Sequence, residues 1–410
     1  MLNVIWCGFF ITAFMVALGQ TVFAGNIEIW SSLVDATFGA AKTAFEITLG
    51  LTGMMCLWLG LLKIAEKSGL TGLLAGFLKP LFRKIMPDVP SDSPALGSIV
   101  MNMAANILGL DNAATPIGIK AMEQLQELNP HKEKASPAQI LFMVINTSAV
   151  TLIPVSILMY RHQFAATEPS SVFLPILLAT SMSTLVGFIS VALVTKIPLF
   201  NRTVMGYIGG FLLLIALIAW QFCSLSPQER LTYATLIGNI AIFGIIILFI
   251  GSGIVKKLNI YEVFIEGAKE GFETAVRIIP YMVSMLVGIA VFKASGALDY
   301  LLLGCEKIIQ LFNGDTSFIP ALPTAFLKPL SGSGARAMML ETYQVYGVDS
   351  FPAFVSSIIQ GSTETTFYVL AVYFGAVKIT KTGVALPCAL LADLAGIVSA
   401  IALGYAFYQG

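Results

Sequence analysis

Seven consecutive residues, Gln360-Gly361-Ser362-Thr363-Glu364-Thr365-Thr366, place an amide, several hydroxyls and one carboxylate inside an apolar stretch running from about 351 to 377. Amides and hydroxyls can both donate and accept hydrogen bonds, and the acid can hold a cation or a proton. In lipid such a residue is costly, roughly 2.5–3.5 kcal/mol near the bilayer centre on insertion scales, and it is kept for a reason. On a helix, Gln360, Thr363 and Glu364 share one face by their i, i+3, i+4 spacing. Glu364 has three uses open to it: contact with a substrate or ion, a structural ion pair with Arg336 or Lys328, or a buried protonated acid.

A neutral run, Asn146-Thr147-Ser148, occupies the stretch from 138 to 159. Other polar residues expected at membrane depth are Asn102, Asn106, Asp111, Asn112 and Thr115, and further on Ser331, Ser333, Arg336 and Asp393. Gly109-Leu110-Asp111-Asn112 and Ser331-Gly332-Ser333-Gly334 precede apparent helix starts, where free backbone amides favour anions or carbonyl groups; they read as hairpin tips, with an ordinary tight turn the alternative. The candidate substrate contacts are therefore Asn112, Thr115, Asn146, Thr147, Ser331, Ser333, Gln360, Ser362, Thr363 and Glu364. Glu364, Asn106 and Asp393 are the candidates for coupling to an ion, sodium or a proton. For the asparagines, helix-to-helix hydrogen bonding is the alternative.

The chemistry of enzymes is poorly represented. There is no Walker A loop, HExxH or GxSxG motif, so no enzymatic activity is expected, no cofactor and no metal centre. Both histidines, His131 and His162, lie in polar connections, and the five cysteines are scattered. Basic and acidic residues balance at 23 each, which leaves no electrostatic case for nucleic acid.

Positioning these side chains requires a membrane. The 410 residues are 57% hydrophobic and only 11% charged, where a soluble domain has roughly 25% charged. Mean hydropathy is +0.86. The expected fold is an all-α polytopic membrane protein in contact with the lipid bilayer. About nine transmembrane helices are expected, near 2–22, 45–62, 138–159, 172–195, 204–222, 231–250, 276–292, 352–377 and 384–408. Segments 70–86, 93–128, 297–312 and 318–345 are too short or uneven to span, and read as re-entrant hairpins. Residues 2–22 read as a retained helix. Val22-Phe23-Ala24 resembles a signal-peptidase site but lacks a positive n-region, and cleavage is the alternative.

The chain contains itself twice. Ala41-Lys42-Thr43-Ala44-Phe45-Glu46 recurs as Ala268-Lys269-Glu270-Gly271-Phe272-Glu273, and Ser68-Gly69 recurs at the same displacement as Ser295-Gly296. Gly118, Lys120 and Met122 match Gly334, Arg336 and Met338, and Asn146-Thr147-Ser148 falls opposite Gly361-Ser362-Thr363. Ala149 then stands where Glu364 stands. Residues 1–200 form one repeat and 231–410 the other, with 201–230 a linker carrying an extra helix. That odd helix inverts the second copy, so two inverted-topology repeats are expected, with a site near the midplane. Basic clusters after the second, fourth, sixth and eighth spans place those ends, and the N-terminus, in the cytoplasm.

Several strings resemble known families. Asn102-Met103-Ala104-Ala105-Asn106 and Asn112-Ala113-Ala114-Thr115-Pro116 with Lys120-Ala121-Met122 are similar to spore maturation protein A. Residues 261–279, Pro329-Leu330-Ser331-Gly332-Ser333-Gly334 and Gln360 through Thr366 with Phe367-Tyr368 are similar to spore maturation protein B. The chain thus resembles a natural fusion of the two, in the nucleoside-recognition (Gate) superfamily shared with concentrative nucleoside transporters. The Gln360 to Glu364 run resembles the Gly-Gln-Thr-Glu hairpin of those carriers in a different residue order. The resemblance implies movement of a solute across the bacterial inner membrane and, in spore formers, a link to core dehydration. A gradient-driven transporter of a small polar solute is the leading expectation. A scaffold or assembly factor for envelope proteins or spore maturation is the alternative, and a homo-oligomer is compatible with either.

Overall fold

In the computed structural model the backbone is described for residues 2–108, 111–152, 154–197, 201–312 and 314–408, without the side chains of 2–5, 111–113, 219, 223 and 227. Gly109 and Leu110, half of one expected hairpin tip, lie outside the described residues.

Eight helices come first: α1 (Leu2–Ala24), α2 (Ile29–Lys67), α3 (Leu70–Ile85), α4 (Pro94–Ile107), α5 (Asp111–Leu128), α6 (Pro137–Thr147), α7 (Val155–Gln163) and α8 (Phe173–Thr195). A single helix follows, α9 (Arg202–Cys223). Eight more complete the chain: α10 (Pro227–Val255), α11 (Ile260–Ala294), α12 (Ala297–Leu311), α13 (Leu322–Leu327), α14 (Gly332–Tyr346), α15 (Phe351–Ser362), α16 (Thr366–Ala376) and α17 (Ala385–Phe407).

Local sequence explains the boundaries. Ser136 and Ser226 each form a capping box with the residue three further on, Gln139 and Glu229, and each is followed by a proline at the first helical position. Ser93, Ser331 and Ser350 cap α4, α14 and α15 through their hydroxyls. Gly69 and Gly296, matched by the repeat, both adopt the left-handed conformation, φ 81° and 79°, which turns the chain into α3 and α12. The corresponding tight turns in both halves carry the duplication from sequence into backbone geometry.

Among the described residues seven helices are long and apolar enough to cross a membrane: α1, α2, α8 with its leading 3-10 turn, α9, α10, α11 and α17. The protein is a multi-pass membrane protein. Two expected spans, 138–159 and 352–377, are not continuous; each is broken into half-helices, α6/α7 and α15/α16. Segments 93–128 and 318–345 fold as helical hairpins, α4/α5 and α13/α14, whereas 70–86 and 297–312 are single helices rather than hairpins. Both of the latter are amphipathic, so their uneven hydropathy reflects a polar and an apolar helix face and no turn.

α2 and α11, 39 and 35 residues, are the longest elements. At 1.5 Å per residue α2 reaches about 58 Å, nearly twice a hydrocarbon core of about 30 Å. They pack against each other antiparallel, since Lys63 Nζ sits 2.8 Å from Glu270 and Lys67 Nζ 2.5 Å from Glu266. Lipid supplies little hydrophobic drive between helices, so close backbone approach must do more of the holding. A Cβ at Gly271 would lie 2.7 Å from the Met55 carbonyl oxygen. The pairing of the other elements is exchanged between halves: α1 packs on α11 and α10 on α2, while α6 packs on α17 and α15 on α8. α8 and α17 close the centre against each other, with Ser183 Oγ donating to the Ala392 carbonyl at 2.9 Å.

Candidate functional site

Each interrupted helix ends because its own side chains compete for the backbone. In α6 the hydroxyls of Thr147 and Ser148 donate to the Val144 carbonyl at 2.8 and 2.9 Å, and Pro154 offers no N–H where α7 begins. In α15 the Ser362 hydroxyl donates to Ile359 O at 2.8 Å. Thr363 is then fully extended, φ −147° and ψ 172°, and β-branched Thr365 and Thr366 lead into α16. Because the helix stops at Ser362, Gln360, Thr363 and Glu364 do not share a helical face as their spacing suggested.

The two breaks meet. The Glu364 backbone N–H donates to the Thr147 carbonyl oxygen at 2.7 Å, joining one repeat to the other within the matched stretches. Symmetric bonds tie each break to its neighbouring hairpin, Leu152 N–H to Ile107 O and Phe367 N–H to Pro329 O, both 3.0 Å. Hydroxyls of α8 satisfy the freed carbonyls of the first break. Thr180 Oγ1 donates to Ala149 O at 2.9 Å and Thr184 Oγ1 to Ser148 O. Exposed backbone at membrane depth is thereby paired inside protein, as lipid requires.

Around this crossing several buried side-chain oxygens have no hydrogen-bond partner. Thr366 Oγ1 donates to Asp393 Oδ2 at 2.7 Å, leaving Oδ1 of that acid buried without a partner. Gln360 Oε1 and Thr363 Oγ1 are likewise buried and unpaired; Thr363 faces Asp393 but outside normal hydrogen-bond geometry. Lys328 and Glu364 both act electrostatically on Asp393, and Lys328 is itself buried at the end of α13. Ser331 caps α14 by accepting from Gly334 N at 3.0 Å, and its Oγ lies 3.3 Å from that of half-buried Ser333. This tip presses on the second break, where a Cβ at Gly332 would lie 2.7 Å from Thr365 Oγ1.

A second polar group lies beside the first break. Asn106 Nδ2 donates to Asn146 Oδ1 at 2.8 Å, Tyr373 OH donates to the same oxygen at 3.3 Å, and Asn146 Nδ2 donates to Phe142 O at 2.8 Å. Asn102 Nδ2 donates to Ala114 O at 2.7 Å. Asn106 and Asn146 are thus engaged in helix-to-helix hydrogen bonding. Thr115 is half-buried one turn into α5, and the side chain of Asn112 lies outside the described residues. Among the described residues no three of His, Cys, Asp and Glu cluster as metal ligands.

Glu364 itself is exposed while its counterpart Ala149 is 6% exposed, so the repeats differ at the charged position. Arg336, one offered ion-pair partner, lies instead over the Tyr160 ring, 5.7 Å from its centroid. Sequence reasoning missed Thr180, Thr184, Tyr373 and Arg161. The first two, with Ser183, form an i, i+3, i+4 polar stripe on an otherwise apolar span, a signal that was available. Arg161, 2% exposed, donates to Val348 O at 3.2 Å and to Ser357 Oγ on α15 at 3.5 Å, and stands 3.6 Å from Asp349.

Such an arrangement defines a polytopic membrane protein with two helical repeats joined through interrupted helices. The chain belongs to the nucleoside recognition (Gate) family, whose profile matches residues 48–163 and 275–380, more than half of its length. It is 39% identical over 183 residues to spore maturation protein A of Bacillus subtilis (strain 168), covering 45% of this chain and 90% of that protein. It is 48% identical over 149 residues to spore maturation protein B of the same organism, covering 36% of this chain and 82% of that protein. The two relatives match different parts of the chain, as a fusion of A and B would. No solved structure matches the chain.

Proposed function

We propose that the protein is a gradient-driven carrier of a small polar solute in the bacterial inner membrane, acting without a catalytic step. The observation that carries this is the bond between the two breaks, Glu364 N–H to Thr147 O, beside an exposed carboxylate and buried unpaired acceptors. Helices interrupted at mid-membrane in inverted repeats are the means by which secondary transporters present backbone and polar groups to a solute. In this reading Glu364 contacts the solute, and Asp393, with Lys328 and Thr366 beside it, responds to sodium or a proton. Ser331, Ser333, Gln360 and Thr363 line the second-repeat side, and Thr147 the first. The basic clusters Lys63 to Lys84, Lys196 with Arg202, Lys256-Lys257 and Lys378 with Lys381 set the orientation, with the N-terminus cytoplasmic.

The test is uptake by the full chain in proteoliposomes under imposed sodium or proton gradients, over nucleosides, amino acids, amines and small carboxylates. Saturable uptake that is lost in Glu364→Gln while the variant remains folded is the expected result. No saturable uptake of any solute by the wild-type protein would refute the carrier reading and favour a scaffold in the envelope.

A further inference from the structure

α3 turns off the end of α2 at left-handed Gly69. Its 16 residues reach about 24 Å at 1.5 Å each, short of a hydrocarbon core of about 30 Å, so it does not span. Ala75, Phe82 and Ile85 face inward and join an apolar cluster with Leu96 and Ile99 of α4. Leu73 and Phe77, one turn apart, lie on a different face and are 73% and 63% exposed. Lys79 and Arg83, also one turn apart, form an exposed basic strip beside them, and exposed Lys84 continues the line of Phe77 two turns on. Large exposed apolar side chains next to a row of cations suit the boundary between acyl chains and headgroups.

α9 gives the depth. It is long and apolar enough to cross the membrane from Arg202 onward, and the ring of Tyr207 in its second turn lies 5.3 Å from that of Phe77, centroid to centroid. The Tyr207 hydroxyl also donates to the Phe77 carbonyl. From Arg202 to Tyr207 the helix rises about 7.5 Å, within the roughly 5–10 Å to which interfacial helices bury their apolar face. The charges around α3 are predominantly basic. α3 and the two helices packed along it, α4 and α9, contain no acid, while α9 opens on exposed Arg202 and exposed Lys196 follows α8. Before α3, Glu66 stands 3.4 Å from Lys63, and Lys67 is paired with Glu266. After it, Asp88 borders a cavity shared with His131 and Lys134, and exposed Asp92 lies in the loop to α4. Setting both aspartates against Lys79, Arg83, Lys84, Lys196 and Arg202 leaves an excess of three positive. The matched helix α12 does not keep the basic strip: at the same displacement Lys79, Arg83 and Lys84 become Glu306, Gln310 and Leu311. Because α2 and α11 run antiparallel, α12 stands at the opposite face of the membrane.

We propose that α3, with Arg202 of α9, is a docking surface for anionic phospholipid: Lys79, Arg83 and Lys84 hold the phosphodiester headgroup while Leu73 and Phe77 enter the acyl chains. Ammonium and guanidinium donors match phosphate oxygens in charge and in hydrogen bonding, the guanidinium through two parallel bonds. Lys84, on the apolar line, reaches the headgroups by extending its stem. A basic side chain at an anionic surface contributes about fivefold in affinity, so the three together favour an anionic over a zwitterionic lipid on the order of a hundredfold. This surface acts whichever solute, if any, the protein carries.

Thermal unfolding of the purified full chain in non-ionic detergent, at matched ionic strength, tests this with dioctanoyl phosphatidylglycerol, dioctanoyl phosphatidylcholine and sodium phosphate as probes. Phosphatidylglycerol should raise Tm at concentrations roughly a hundredfold below those needed with phosphatidylcholine, and phosphate should give no shift. Lys79→Gln/Arg83→Gln/Lys84→Gln should bring the two lipids together. Lys132→Gln/Lys378→Gln/Lys381→Gln removes as many exposed charges around Glu133, elsewhere at that end, and should keep the lipids apart. Should the α3 triple variant not fold, Arg83→Gln alone should weaken the phosphatidylglycerol response about fivefold. In vesicles whose acyl chains carry bromine near the headgroup, Phe77→Trp should show tryptophan quenching beyond that of the wild-type protein. Equal responses to the two lipids in the wild type, equal losses in the two triple variants, a phosphate shift as large as that of phosphatidylglycerol, or no added quenching in Phe77→Trp would overturn the inference.

Discussion

Gly118 on α5 offers a quantitative test of how closely the two repeats are fitted beside the site. A Cβ there would lie 2.3 Å from Tyr373 Oη, 2.6 Å from Cζ and 2.8 Å from Asn102 Nδ2. Ordinary carbon contacts begin near 3.5 Å, so α16 or the tyrosine ring must retreat by about 1 Å. The ring is held on both sides, stacked on Phe142 at 5.7 Å between centroids and hydrogen-bonded to Asn146 and Asn102 at 3.3 and 3.4 Å. Overpacking costs about 1–3 kcal/mol, and each lost interhelical bond about 0.6 kcal/mol in a membrane. Alanine also gains about 1 kcal/mol over glycine within a helix. Gly118→Ala should therefore destabilise by about 1–3 kcal/mol in mixed-micelle unfolding. Gly97→Ala, where a Cβ meets nothing within 4 Å, should be neutral or slightly stabilising. Tyr373→Phe removes the nearest atom but leaves Cζ, so the double variant should be less destabilised than the sum of the singles by about 1 kcal/mol. Equal stability of Gly118→Ala and Gly97→Ala, or strict additivity with Tyr373→Phe, would refute the fit.

Gly271→Ala meets the Met55 carbonyl and Cys56 backbone, at 2.7 and 2.8 Å, instead of a movable side chain. It should cost more than Gly118→Ala in the same assay, about 3 kcal/mol or more. Lys63→Met removes the 2.8 Å contact to Glu270 between α2 and α11 and should lower stability by about 1 kcal/mol at low salt, with the loss shrinking as salt is raised. Arg161→Gln leaves the Val348 carbonyl and Asp349 without their guanidinium partner. It should destabilise by about 1–3 kcal/mol with no change in Glu364-dependent binding. Glu364→Gln, at an exposed side chain, should leave unfolding unchanged while solute uptake is lost.

The continuous spans are legible because an unbroken apolar run of bilayer length has few other fates, and the residues from 172 to 195 or 384 to 408 illustrate it. The interrupted spans defeat the same reasoning. Their composition is that of a crossing helix, and the break is stabilised by Glu364 N–H reaching Thr147 O, a contact between residues in opposite halves. The hydroxyls that compete with the helix, Thr147, Ser148 and Ser362, are visible in the sequence. Their effect depends on Thr180 and Thr184 of α8 standing ready to donate to the chain's freed carbonyls. The duplication, by contrast, was readable from Ser68-Gly69 and Ser295-Gly296 because a left-handed glycine tolerates few substitutes. Its asymmetry could be read only partly: Ala149 against Glu364 is a plain difference of residue, whereas Glu123 against Met339 gains meaning only once one is exposed and the other buried.

These differences bear on how the molecule could change shape. If the two ends simply exchanged roles, α5 would close on α2 as α14 closes on α11, and Glu123 and Glu127 would enter the positions held by Met339 and Tyr343. Burying unpaired carboxylates costs several kcal/mol each, far more than the apolar contacts of α14 would return. The charged end therefore cannot close by repeating the contact that seals the Arg161 end. In the carrier reading, closure would have to occur deeper, at the breaks, where the Glu364 backbone meets Thr147 and where Gly332 already lies against Thr365.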